Sequence, residues 1–157
     1  MSNRRTLNKF YGRCQSGRFV PTNKDKYLGN WRNITYRSKL ELASFVKMDK
    51  HPSVIEWSSE TVIVPYFLYG HRHRYYVDLY VKVIDVNKQT NKYLVEIKHS
   101  NKLKRPPAPK TKKGIKTYKV LCEEYDKNQA KWKYAREYAR ERDMKFLIWT
   151  EQVINGF

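Results

Sequence analysis

The sequence is short of acids. Against 33 lysines and arginines stand only 15 aspartates and glutamates, a formal net charge of +18 over 157 residues. That imbalance argues against cationic partners and favours polyanions, of which nucleic acid is the commonest. Cysteine is also scarce: Cys14 and Cys122 lie far apart, with no CxxC and no neighbouring histidine pair. Neither a disulfide framework nor a zinc site is expected, and both are read as free thiols in a reducing compartment. Long apolar runs are absent, none approaching the ~18 residues that cross a bilayer. The opening MSNRRTLNKF carries charge with no apolar segment behind it, so a secretory signal is not expected either. The reading is a soluble, intracellular protein with no membrane partner.

What is present fits one domain, since the length is sufficient for a single core and short for two. Residues 1–32 are basic, Asp25 being their only acid, and are broken by Gly12, Gly17, Pro21 and Gly29. They read as an arm, ordered in places, whose Tyr11, Phe19, Tyr27 and Trp31 dock on a core or stack on bases. Residues 33–157 form the domain proper. In ITYRSKLELASFVKMDKHP, Ser38 or Thr35 is suited to cap a helix that ends before Pro52. Leu42, Phe45 and Val46 form its apolar stripe, and Glu41 borders that stripe.

Strands are predicted over 53–57, 61–68, 73–86 and 92–99, all rich in β-branched and aromatic residues, with NKQTN as a polar hairpin connection. From Lys98 to Lys119 there are nine lysines or arginines, three prolines and no acid. A segment of that composition cannot form a core and is expected as a mobile basic loop over about 99–119. A helix follows over about 123–143, with Trp132, Ala135, Tyr138 and Ala139 as its packed stripe. The consecutive apolar residues of KFLIWTE then indicate a buried strand, central or parallel. The order is α/β: helix, strands, helix, strand, with no internal repeat.

One polar constellation stands out in the paired strands. In RYYVDLYV, Asp78 points away from Val77, Leu79, Val81 and Val83. In LVEIKH, Glu96 and Lys98 point away from Val95 and Ile97, about 6.6 Å apart along the strand. An acid and a lysine two residues apart also describe an ordinary solvated face. If the first helix covers this face, however, Glu41 joins Asp78 and Glu96 where apolar residues are expected. Three acids there are costly unless a cation or tight pairing neutralises them. Carboxylates are hard ligands suited to Mg²⁺, and a lysine beside them is placed to act on an attacking water.

Glu41 on a helix, Asp78 on a strand and Glu96-Ile97-Lys98 on the next resemble the PD-(D/E)xK nuclease superfamily. SSETVIVPY, HRHRYYVDLYV, LVEIK, NQAKWKYAREYA and FLIWTE are further similar to TnsA-type endonucleases and their phage relatives. One departure is Val77, where the superfamily often has a proline that shapes the bend. The resemblance implies a restriction-endonuclease-like α/β core, a mixed sheet flanked by helices, cutting double-stranded DNA with Mg²⁺ or a substituting Mn²⁺. It implies Asp78, Glu96 and the Ile97 carbonyl as metal ligands and Lys98 as the residue acting on water. Glu41 would orient a water or second ion, with Gln129 and Lys131 supporting the phosphate or Lys98. The phage relatives further imply action in the host cytoplasm late in head assembly, on packaged DNA before head-tail joining, with portal or neck proteins as partners.

Other residues carry weaker signals. Arg72, Arg74, Lys102, Lys104, Arg105, Lys110, Lys112 and Lys113 are expected to contact DNA phosphates, giving affinity without sequence reading. His71 and His73 have a spacing compatible with metal but lie between arginines, and read as phosphate contacts or a solvated strand start. Glu56 and Glu60 read as solvated carboxylates. Of Trp31, Trp57, Trp132 and Trp149, only Trp31 has a neighbourhood suited to DNA, the others being expected in the core. The competing reading is a basic DNA-binding or capsid and portal structural protein without catalysis. It accounts for the charge and leaves the coincidence of Glu41, Asp78, Glu96 and Lys98 unexplained.

Overall fold

The computed structural model describes residues 16–156, so Tyr11 and Cys14 lie outside the described residues. Two short strands, β1 (Gly17–Arg18) and β2 (Thr35–Tyr36), pair antiparallel ahead of helix α1 (Lys39–Lys50). Ser38 caps this helix, its Oγ accepting from the Glu41 N–H at 3.0 Å. The helix stops at His51, because Pro52 disfavours the α conformation in the residue before it.

Six strands and two helices follow: β3 (Val54–Ser59), β4 (Ile63–Leu68), β5 (His71–Tyr76), β6 (Leu79–Ile84), β7 (Thr90–Ile97), α2 (Ile115–Arg140), β8 (Lys145–Trp149) and α3 (Glu151–Asn155). The main sheet has the order β3-β6-β7-β8, antiparallel except for the parallel β7–β8 pair. Strands β4 and β5 form a separate antiparallel hairpin. At the β6–β7 turn, Asp85 Oδ1 accepts from the N–H groups of Asn87 and Gln89, both at 2.9 Å, closing the polar NKQTN connection. The result is a mixed sheet flanked by helices, a restriction-endonuclease-like α/β fold.

Alternation along β7 divides the apolar residues between two cores. Val95 and Ile97 join Phe45, Met48, Val54, Trp57, Leu79 and Val81 beneath α1. Leu94 joins Val64, Tyr66, Tyr75, Val77, Ala135 and Ala139 between α2, the hairpin and the other sheet face. Phe19, from the basic arm, packs edge-on against Phe45 and Trp57 at 5.7 and 5.9 Å, and Tyr27 meets Trp57 at 4.8 Å. The backbone N–H groups of Thr22 and Asn23 donate to the Asp49 carboxylate, so residues 16–32 dock on α1 as well as on the core.

Four expectations need correction. The strand predicted over 73–86 is broken at Val77 and Asp78: Val77 enters the second core and Leu79 the first. Two side chains of equal parity thus face opposite layers, because the chain passes from hairpin to sheet between them. The second helix begins at Ile115, eight residues before Glu123, shortening the basic loop. That loop includes 3₁₀ turns at Ser100–Lys102 and Lys112–Gly114. Strand β8 is parallel as expected, but lies at the sheet edge with Leu147 exposed. Finally, the face carrying Glu96 is covered by α2 and the hairpin, with α1 on the opposite face.

Candidate active site

The register sets the site. Leu79 pairs with Val95 and Tyr80 with Leu94, which brings Asp78, just before β6, level with Glu96. The ladder ends there, and Asp78 Oδ2 accepts from the Ile97 N–H at 2.7 Å. Glu96 is 3% exposed, so its charge requires partners. The Tyr75 hydroxyl donates to Glu96 Oε2 at 2.5 Å, and Lys98 Nζ lies 3.4 Å from Oε1. Lys131 of α2 closes the layer, its Nζ 5.1 Å from the centre of the Tyr75 ring.

Burial raises the Asp78 pKa well above the ordinary aspartate value, and the neighbouring Glu96 and Glu41 charges raise it further. The Ile97 N–H and the Lys98 charge oppose that shift without cancelling it. Asp78 keeps partial solvent contact, so the desolvation comes from the protein packed around it and not from complete enclosure. Burial likewise lowers the Lys131 pKa, against the attraction of Glu96, with Lys127 and Lys98 adding to the fall. The Tyr75 phenol is pushed far up by burial and by the Glu96 charge, so it stays a donor at any physiological pH. Two carboxylates, two lysines and a locked phenol therefore share one sheet face.

Residues 51–151 match the TnsA-like endonuclease N-terminal domain. The chain is also 36% identical over 140 residues to the head completion nuclease of Enterobacteria phage T4, covering 87% of this chain and 91% of the relative. The chain belongs to the TnsA-like endonuclease family. The segment matching that domain contains Asp78, Glu96, Lys98 and Lys131, and begins after Glu41.

Around this TnsA-like centre the remaining candidates sort by position. Glu41 is tied to the start of α1: Oε2 accepts from the N–H of Arg37, the residue before the cap, at 2.8 Å, and Oε1 lies 3.2 Å from Ser38 Oγ. It acts on Asp78 through charge, and among the described residues no three acids, histidines or cysteines are grouped closely enough to hold a metal. Gln129 is on α2, but two residues from Lys131 it does not share that residue's face. The Ile97 side chain packs under α1. Arg72, Arg74, Lys104, Arg105, Lys110, Lys112 and Lys113 are exposed, while Lys102 pairs with Glu124 at 3.1 Å. His73 stacks on Tyr66 at 5.2 Å. Glu56 accepts from the Tyr80 hydroxyl at 3.0 Å, and Glu60 pairs with Arg37. Lys24 and Arg32 lie over the Trp31 ring at 4.2 and 4.3 Å.

Three contacts had no conspicuous sequence signal. Tyr75 lay inside an apparently uniform aromatic strand. Arg37 couples by charge to Glu60, Glu41 and Asp78 at the rim of the site. Glu151 accepts from the Ser100 N–H at 2.9 Å and from its hydroxyl, anchoring the chain two residues after Lys98. Those bonds hold the Glu151 carboxyl at about 2, below its ordinary value. They join residues 51 apart, a separation no local pattern reveals.

Proposed function

We propose that the protein is a divalent-metal-dependent DNA nuclease of low sequence specificity. The observation that carries this reading is Asp78 and Glu96 at one level of the sheet, with Lys98 beside them. Their oxygens suit Mg²⁺, with Mn²⁺ as a substitute. The fit is supported by Asp78's raised proton affinity next to Glu96, which marks a place where added positive charge is favourable. Asp78, Glu96 and the Ile97 carbonyl would hold the ion. A bound divalent cation supplies Lewis-acid polarisation of the phosphate and offsets the charge that develops there.

The chain's own residues do the rest. Tyr75 fixes Glu96, and the Ile97 N–H fixes Asp78. Lys98, with a quarter of its side chain exposed, reaches solvent and orients the attacking water. That water adds to phosphorus as one P–O bond breaks; the water gives up a proton to bulk solvent, and the departing oxygen takes one back from it, so the protons balance. Lys131 faces the same phosphate, and the exposed cations of the hairpin and the 99–114 segment hold the duplex through its backbone. The T4 relative's name supports a place in phage head completion. Action on packaged DNA before head-tail joining, with portal or neck proteins as partners, belongs to the same proposal.

Plasmid DNA incubated with wild type, Asp78→Ala and Lys98→Ala, with and without Mg²⁺, tests this. Cleavage should require Mg²⁺ and fall at least about a hundredfold in each variant, as expected when a group acting on the reacting atoms is removed. DNA binding measured alongside should survive. A wild type that binds but never cuts with any divalent ion would instead favour a structural DNA-binding protein.

A further inference from the structure

A cavity of about 610 Å³ lies beside the active site, between the segment after Lys98 and the first half of α2. Its size falls within the ~300–1,000 Å³ of small-ligand sites. Pro106, Pro107, Leu121 and Tyr125 give it apolar and aromatic walls. Asn128 also lines it, only 4% exposed, with no hydrogen-bond partner for its amide among the described residues. The amide keeps its small solvent contact through this cavity and lacks a protein partner, so it is well placed to meet a ligand that enters there.

The cations at the cavity are largely committed. Lys102 pairs with Glu124 at 3.1 Å, and Arg105 lies 4.0 Å from Asp126. Glu124 is itself part of the lining and repels phosphate, leaving exposed Lys104 to attract a backbone at the rim. The interior therefore suits a flat, neutral ring with donors and acceptors on its edge. An asparagine amide offers both a donor and an acceptor, which a base edge can complement. Asn128 and Lys131 are three residues apart on one face of α2, about 4.5 Å along the axis. Cavity and candidate active site are thus consecutive stations on one helix.

Resting on the nuclease reading, we propose that this cavity holds one unpaired nucleobase of the strand being cut. Tyr125 stacks on the base and Asn128 reads its edge. The preferred substrate is then DNA with an unpaired nucleotide next to the scissile phosphate, in preference to continuous duplex.

The test compares two duplexes of equal phosphate count, one with a single bulged 2-aminopurine and one with an abasic bulge. Binding is measured in EDTA, where metal-dependent cleavage is silent. Wild type should bind the 2-aminopurine bulge about tenfold more tightly, the low end of what one stacked base contributes. Asn128→Leu, of similar size, should cut that discrimination to about threefold, since Tyr125 still stacks and only the edge hydrogen bonds are lost, while its affinity for fully paired duplex is unchanged. Equal wild-type affinities for the two bulges, or undiminished discrimination in Asn128→Leu, overturns the proposal. Should that variant not fold, Tyr125→Ala carries the same comparison, and the wild-type pair already decides. Plasmid cleavage in Mg²⁺ is scored separately. Cutting with equal bulge affinities overturns the base pocket and keeps the nuclease. Discrimination without cutting keeps the pocket and overturns the nuclease.

Discussion

Asp78→Asn should make the metal-free protein more stable while abolishing its cleavage. Asp78 is level with Glu96, where cross-strand Cβ atoms are about 5 Å apart. At an effective dielectric constant near 20, two like charges at that separation repel by about 3 kcal/mol. Lys98 near Glu96 and the Ile97 N–H on Asp78 offset part of this, leaving a net cost of about 1–2 kcal/mol. Asparagine keeps the shape and an oxygen for the Ile97 N–H but removes the charge. Because Asp78's folded pKa lies above its unfolded value of 3.8, wild-type stability should fall as pH rises from 3.8 through the folded value. Below 3.8 the linkage cost vanishes, so the variant's advantage should appear only above that pH. Calorimetry at pH 7.5 in EDTA should show Tm raised by about 2–8 °C, from the ~2–4 °C per kcal/mol typical of this chain length. Adding Mg²⁺ should then raise the wild-type Tm and leave the variant's in place. A lower Tm for Asp78→Asn in EDTA, or equal stabilisation of both proteins by Mg²⁺, would refute the reasoning.

Tyr75→Phe leaves a buried Glu96 oxygen without its donor and should cost about 1.5–3 kcal/mol, the range for hydrogen bonds to charged groups. The urea midpoint should fall with an unchanged m value, and cleavage should fall too; an unmoved midpoint argues against a structural role for that hydroxyl. Glu151 has a folded pKa of about 2, below its ordinary 4.5, so its contribution is present above 4.5 and lost as pH falls towards 2. The Ser100 amide should therefore be protected from hydrogen exchange at pH 5, and unprotected at that pH in Glu151→Ala. Retained protection in the variant would show that something else holds the turn.

What was legible in the sequence followed short-range rules. Ser38 was readable as a cap because the side chain bonds three residues away, and Glu96 with Lys98 because a strand's period is two. Asp78 was placed opposite them only because one hairpin joins the two strands. The site's cover was not legible, since both α1 and α2 carry an apolar stripe and neither stripe names its sheet face. The break at Val77 was hidden because valine suits either core, and the reversal comes from the β4–β5 hairpin packing against α2. The start of α2 was hidden by its composition: Ile115 and Val120 are exposed, so the first turns carry no buried stripe.

The crossing at Asp78 has a mechanical consequence. Val77 is clamped in one core by its N–H bond to the Val62 carbonyl, and Leu79 is fully buried in the other. The aspartate between them is the pin of a two-leaf joint, and Tyr75, three residues before it on the hairpin leaf, reaches Glu96. Whatever stiffens the hairpin steadies both carboxylates at once, and on the proposed function DNA lying along Arg72 and Arg74 would do so. Substrate grip and alignment of the acids would then be one motion, and loosening the wing would silence the centre without touching an acid.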